Sequence, residues 1–384
     1  MPMATGVAHG ITEGAIRYAL SKVQDPEIHR PITELDMVKA VHVAADGKVN
    51  VAIFLTVVGC PMKDRLTNDI TNAVAAIPGV TGVVVELDVM STQQRDALKA
   101  KLRGGQVDKE IPFAQAGSLT RVYAIASGKG GVGKSSVTVN LAAALAAKGL
   151  KVGVIDADIY GHSIPRMLAV TDPPTPIDDM ILAPTAPSGV KVMSIGMFTK
   201  GNSPVAWRGP MLHRAIQQFL GDTYWGDLDV LLLDLPPGTG DIAISVAQLV
   251  PNAEIIVVTT PQQAAAEVAE RAGTIAVQTH QRVTGVIENM SYMSCPHCDE
   301  CVDVFGAGGG TAVAEALTKA TGTKVPLLGR VPIDVRLRQG GDSGVPIVVS
   351  APESAAAQVL IGIANKIATR SRGLVGMSLS VSPK

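Results

Sequence analysis

Residues 128–135 read Gly-Lys-Gly-Gly-Val-Gly-Lys-Ser, and this run constrains the fold more than any other stretch of the chain. It satisfies the phosphate-loop spacing of glycine, four residues, then Gly-Lys-Ser. The flanks agree with it. Residues 121–127 (Arg-Val-Tyr-Ala-Ile-Ala-Ser) predict a buried strand, and Ser136–Ala147, rich in Ala, Leu and Val, predicts a helix. Gly128, Gly130, Gly131 and Gly133 are expected to take backbone angles that side chains forbid. Successive N–H groups, Val132 among them, then turn inward as an anion nest at a helix N-terminus. Lys134 is expected to reach the β- and γ-phosphates, and the Ser135 hydroxyl to ligate Mg²⁺. The expected nucleotide contacts are therefore Gly128, Lys129, Gly130, Gly131, Val132, Gly133, Lys134, Ser135 and Ser136. A glycine-rich turn with a chance Lys-Ser would account for neither flank nor the second lysine, Lys129.

The 384 residues carry a net charge of −1, so overall basicity does not argue for a nucleic-acid partner. The start, Met-Pro-Met-Ala-Thr-Gly, lacks the charged and apolar regions of a secretory signal. No apolar run is long enough to span a bilayer. These features lead us to expect a cytoplasmic protein with no stable membrane insertion. Of the four cysteines, Cys295, Cys298 and Cys301 lie within seven residues, which favours a metal site over disulfides.

The fold class expected is α/β: a mostly parallel sheet covered by helices on both faces, preceded by a small α+β domain. Residues 1–103 hold a helix at Thr12–Val23 and a hairpin, Val38–Ala44 with Val49–Thr56, turning at Asp46-Gly47. A helix at Met62–Ala76, a strand at Val83–Val89 and a helix at Thr92–Leu102 complete this domain. Residues 104–119 read as a linker. From 120 to 372 strands and helices alternate, the strands being Val122–Ser127, Val152–Asp156, Val190–Ile195, Val230–Asp234, Ile255–Thr260, Thr284–Glu288 and Leu327–Arg330. Residues 172–188, with five prolines, predict an irregular loop, and 373–384 a frayed tail.

Two strands end in carboxylates that complement the loop. One ends Asp156-Ala157-Asp158, and the other runs from Asp234 into Leu-Pro-Pro-Gly-Thr-Gly-Asp241. At the C-terminal edge of a parallel sheet both emerge beside the phosphates. Asp234 and Asp156 are expected at the Mg²⁺, and Asp158, in preference to Asp156, at the attacking water. Gly238 is expected to bring its N–H to the γ-phosphate. Taken singly, each aspartate reads as well as a helix cap or a strand end.

Together these motifs resemble the deviant-Walker-A ATPases, which include the nitrogenase iron protein and the Min and Par ATPases. The resemblance implies a nucleotide-sandwiched homodimer in which Lys129 reaches the partner's phosphates. The catalytic set is then Lys129, Lys134 and Asp158. Trp207-Arg208-Gly209-Pro210-Met211, Trp225-Gly226-Asp227-Leu228-Asp229, Ile287-Glu288-Asn289-Met290-Ser291 and Cys295-Pro296-His297-Cys298 narrow the likeness to the Mrp/ApbC/Nbp35 iron–sulfur carriers, over about residues 111–370. By that resemblance Asn289 contacts the adenine. Asp25-Pro26-Glu27 and Thr56-Val57-Val58-Gly59-Cys60-Pro61 resemble the MIP18-like (DUF59) domain.

Two thiolates at Cys-x-x-Cys spacing suit one soft metal centre. A [4Fe–4S] cluster wants four, which a two-fold axis supplies from a second copy. Cys295, Cys298, Cys301 and His297 alone favour Zn²⁺, and the resemblance shifts the balance to iron–sulfur. Cys301 is open as alternate ligand, relay or bystander, and Cys60 as functional or buried. The expected function is an ATP-hydrolysing carrier that uses ATP and Mg²⁺ and passes a [4Fe–4S] cluster from the assembly machinery to apo-proteins. The alternatives are a Min/Par-like positioning ATPase, for which Val359–Ile367 offers an apolar helix, and an assembly ATPase with structural zinc.

Overall fold

The computed structural model describes residues 11–56, 62–102, 111–115, 117–158, 161–198, 209–238, 241–262, 276–279, 281–295, 297–298 and 300–368. Cys60, Trp207, Arg208, Thr239, Gly240, His280, the linker segment 104–110 and the tail 373–384 lie outside them. The chain divides into two compact units, Met1–Asp108 with Thr175–Leu182, and Lys109–Pro174 with Ala183–Lys384.

In the first unit, helix α1 (Glu13–Leu20) starts at Thr12, whose hydroxyl accepts the Ala15 N–H. Strands β1 (Val38–Val43) and β2 (Lys48–Leu55) pair antiparallel across the expected Asp46-Gly47 turn. Gly47 has φ +82, and a Cβ there would lie 2.7 Å from the Gly79 carbonyl oxygen, so the turn requires glycine. Helix α2 (Lys63–Ala75) buries Leu66, Ile70 and Val74, one side chain per turn. Strand β3 (Gly82–Val89) runs parallel to β2, and helix α3 (Thr92–Leu102) follows. Asp25 is buried with Oδ1 accepting the Glu27 and Ile28 N–H groups, and its burial pushes its carboxyl above the usual range.

The irregular loop expected at 172–188 is partly ordered. Thr175–Ile177 and Met180–Leu182 form a short antiparallel ribbon. Its two-residue turn places Asp178 at φ +53, a conformation aspartate tolerates. Asp178 accepts from Arg95 at 3.1 Å, and the Thr175 hydroxyl donates to Glu27 at 2.9 Å. The prolines suggest an irregular loop because they break long patterns, and this ribbon needs only three residues a side.

The second unit is built on seven strands: β4 (Arg121–Ser127), β5 (Val152–Asp156), β6 (Lys191–Ser194), β7 (Val230–Asp234), β8 (Glu254–Thr259), β9 (Val283–Asn289) and, after the hairpin strands β10 (Met293–Ser294) and β11 (Cys301–Val302), β12 (Leu327–Val331). The sheet order is β12-β9-β8-β4-β7-β5-β6 with every pair parallel. Helix α4 (Lys134–Ala146) follows β4. Helices α5 (Gly209–Gly221), α6 (Asp241–Leu249), α7 (Gly309–Thr321), α8 (Val335–Ser343) and α9 (Ala355–Ala368) come later. Leu232, Val154, Ile256 and Ile287 join Val137, Leu141 and Leu145 of α4 and Leu360, Ile363 and Ile367 of α9 in one core. Their neighbours Leu231, Leu233, Ile155 and Val286 are fully buried outside that core, so both sheet faces are covered. The apolar stretch Val359–Ile367 is thus core packing, and it leaves the positioning alternative without its amphipathic helix. Among the described residues no helix is long and apolar enough to cross a membrane.

Gly309 opens α7, and a Cβ there would meet the Pro261 and Thr260 carbonyl oxygens at 2.4 and 2.6 Å. Both are backbone atoms, so Gly309→Ala is expected to destabilise the fold by about 1–3 kcal/mol. Gly362→Ala, in α9 with nothing within 4 Å of its Cβ, is expected to be neutral or stabilising by up to about 1 kcal/mol. Urea midpoints of the two variants check the pair, and equal midpoints would contradict it.

Candidate functional site

The phosphate loop joins β4 to α4 as expected, with Gly131 at φ +80 and Gly133 at φ +78. Only these two need glycine for their angles; Gly128 and Gly130 keep ordinary φ values, which corrects the expectation for four. A Cβ on Gly133 would lie 2.3 Å from Asn289 Nδ2. The amide of Asn289, at the end of β9, reaches across to the loop and donates to the Val132 carbonyl at 2.9 Å. Ser136, in the first turn of α4, lines a cavity with Gly133 and Asn289.

Beneath the loop lies Asp234, fully buried at the end of β7. Lys134 Nζ is 2.7 Å from Oδ2, and Lys134 itself is 6% exposed. The Ser135 hydroxyl donates to Oδ2 at 2.6 Å, and the Thr138 hydroxyl to Oδ1 at 2.7 Å. Thr138 is a site residue that no motif marks. Its one signal is spacing, because four residues after Lys134 on a helix is the same face.

Asp156 is the register partner of Asp234 on the adjacent strand β5 and is also fully buried. Its Oδ1 accepts the Asp158 N–H, and its Oδ2 accepts the Ile164 N–H and the Ser194 hydroxyl. Burial, reinforced by the charge of Asp234, pushes its carboxyl up to about 8. Asp156 therefore keeps its proton at neutral pH in the ligand-free protein, seated mainly by backbone amides, while Asp234 faces Ser135 and Lys134. Asp158 is half-buried, with Oδ1 accepting the Gly161 N–H at 3.0 Å.

Two expected contacts point elsewhere. The Gly238 N–H donates to the Ser127 carbonyl at 2.8 Å. A γ-phosphate contact at Gly238 thus requires this bond to be exchanged. Lys129 is half-buried and donates to Gln262 Oε1, three residues past the end of β8, a partner that sequence alone does not reveal.

Cys295 and Cys298 sit in the turn of the β10–β11 hairpin, and Cys301 is on β11 opposite Ser294. The backbone N–H groups of His297 and Cys298, with the Cys298 side chain, hydrogen-bond the Cys295 sulfur and hold its thiol below the usual range. All three are free thiols, and Cys298 and Cys301 are exposed. Among the described residues no three His, Cys, Asp or Glu side chains come together as a metal site.

Residues 118–368 match the family described as NUBPL iron-transfer P-loop NTPases, and residues 13–87 match one described as iron–sulfur cluster assembly proteins. The chain is 62% identical over 379 residues to the iron–sulfur cluster carrier protein of Mycobacterium tuberculosis, covering 99% of each chain. It is 41% identical over 364 residues to the iron–sulfur cluster carrier protein of Synechocystis, covering 93% of this chain and 97% of the relative. A nucleotide-binding protein of Archaeoglobus fulgidus, solved in complex with ADP, superposes with a TM-score of 0.53 at 36% identity. It covers 62% of this chain and 92% of that one.

The proton on Asp156 has a measurable consequence in the ligand-free protein. The unfolded chain releases it near 3.8 and the folded chain near 8, so the folded state binds more protons between those values. This contribution to stability therefore falls as pH rises through the window. Asp156→Asn, which mimics the protonated acid, is expected to gain stability over wild type at about pH 8 relative to about pH 5. Urea midpoints at both pH values check it, and a pH-independent difference would count against the shift.

Proposed function

The chain belongs to the NUBPL iron-transfer P-loop NTPases, and from that premise we propose that it is an ATP-hydrolysing carrier of a [4Fe–4S] cluster. The observation that carries this is one strand end serving two chemistries. Strand β9 delivers Asn289 to the phosphate loop and continues, four residues later, into the hairpin that holds Cys295 and Cys298. The division into an assembly-protein domain at 1–103 and an NTPase domain at 120–372 is part of this proposal.

The hard oxygens of Ser135 and Asp234 fit Mg²⁺, with Asp156 beside them on the adjacent strand. When bound, Mg²⁺ neutralises charge on the β- and γ-phosphate oxygens. Lys134 exchanges Asp234 for phosphate oxygens, and the N–H groups of Gly128–Ser136 cradle them. Asp158, half-buried beside the deeper Asp156, orients the water whose oxygen bonds the γ-phosphorus as the bond to ADP breaks. Lys129 leaves Gln262 and crosses to the nucleotide of a second copy. Asn289 spends its Nδ2 on Val132, and its buried Oδ1 has no partner among the described residues. A bare acceptor suits the adenine amino group and repels a guanine oxygen.

Two thiolates per chain and two chains per dimer give the four ligands of a cubane cluster. The cluster is cargo, received from assembly machinery and released to apo-proteins. An exposed turn between copies suits ligands that must let go.

Two measurements test this reading. Wild-type protein is expected to bind ADP about tenfold more tightly than GDP, because guanine leaves the buried Oδ1 unsatisfied. Anaerobic reconstitution with iron and sulfide is expected to give about four irons per dimer with a [4Fe–4S] Mössbauer signature. Cys295→Ser or Cys298→Ser should lose the iron while the protein stays folded. Tight zinc with no iron uptake, and unfolding on cysteine removal, would favour structural zinc instead.

A further inference from the structure

A cavity of about 730 Å³ opens beside the phosphate loop. Gly133, Ser136 and Asn289 form its inner wall, and its outer wall includes Met293, Val304 and Phe305. Those three bracket the cysteines. Met293 is on β10, two residues before Cys295, and Val304 and Phe305 follow Cys301-Val302 of β11. They are 37%, 48% and 39% exposed, an apolar wall facing space next to a phosphate-binding helix N-terminus. The inner wall also holds the one buried, unpartnered side-chain acceptor among its residues, Asn289 Oδ1.

The hairpin has a stiff root and a free end. Ser291 N–H donates to the Val331 carbonyl, and Ile333 N–H to the Tyr292 carbonyl, which ties the strand exit to β12 and the chain beyond it. Met290, between Asn289 and this anchor, is held at φ +57 and also lines the cavity. Beyond the anchor the two hairpin strands are two residues each and exposed. Such an arm takes its position from whatever it packs against.

We propose that the cysteine hairpin is the outer wall of the nucleotide-base site, with Phe305 and Met293 as base-contacting residues. Nucleotide in the cavity and metal on Cys295 and Cys298 then set the same arm, and each changes the affinity for the other. This rests on the nucleotide and cluster roles given above. Reciprocity is obligatory: whatever factor ADP applies to metal affinity, metal applies to ADP affinity.

The test uses the full-length chain under anaerobic conditions, with a fluorescent ADP derivative and Cd²⁺ as probes. Phe305→Ala is expected to weaken ADP about tenfold, and Phe305→Tyr to restore it. Val349→Ala, another exposed apolar site remote from the cavity lining, should bind as wild type. Saturating Cd²⁺ is expected to shift the ADP Kd by about fivefold or more, ADP to shift the Cd²⁺ Kd equally, and Phe305→Ala to abolish both shifts. Unchanged ADP affinity in Phe305→Ala, or independent binding of the two probes, would overturn the proposal while leaving the carrier reading intact. Wild-type protein that binds no ADP, or Cd²⁺ binding unaffected by Cys295→Ser with Cys298→Ser, would overturn both.

Discussion

The Asp234 carboxylate has no contact with water, and Lys134, Ser135 and Thr138 supply the polar groups around it. A buried carboxylate left alone costs several kcal/mol, so the three residues from the first turns of α4 and the end of β7 hold one another in place. Other features follow. The neighbouring Asp156 is buried as deeply, and that burial, reinforced by Asp234 beside it, keeps its proton on at neutral pH. With Lys134 drawn inward, the loop closes over it and Gly133 meets Asn289 at a distance only hydrogen can occupy. The lysine is therefore stored beside a carboxylate that a cation can later claim, and this makes the exchange of partners self-consistent in charge.

Most of the sheet was legible because its strands are buried on both faces. Val-Leu-Leu-Leu-Asp and Val-Gly-Val-Ile-Asp read as continuous apolar runs ending in acid, which neither a half-exposed strand nor an amphipathic helix would produce. The phosphate loop was legible for a different reason, since backbone geometry at two glycines dictates residue type directly. What escaped was whatever depends on tertiary proximity between ordinary polar residues. Thr138 and Ser194 belong to no motif and matter only because each meets a buried carboxylate. The destination of the Gly238 amide was equally hidden, because a backbone N–H has no sequence signature. The ribbon at 175–182 failed for want of length, as three residues a side give no period to detect.

The thiol turn shows the same division. Its spacing suits a soft metal centre, and the fold places Cys295 and Cys298 in one hairpin turn with Cys301 across the ladder from Ser294. What the sequence does not show is that the Asn289 amide, at the end of β9, donates to the Val132 carbonyl of the loop.

The order of the strands bears on how the chain is made. Strand β4 is synthesised first of the seven yet lies at the centre of the sheet, between β7 and β8. Helix α4 is covered by α9, which ends the described chain. On a ribosome, then, the phosphate loop and its apolar helix emerge more than two hundred residues before their last packing partner. Contacts this distant in sequence slow folding and leave Leu141 and Leu145 uncovered meanwhile. A chain truncated before Ala355 would keep every residue of the loop and every cysteine, yet would present the cell with an open hydrophobic face.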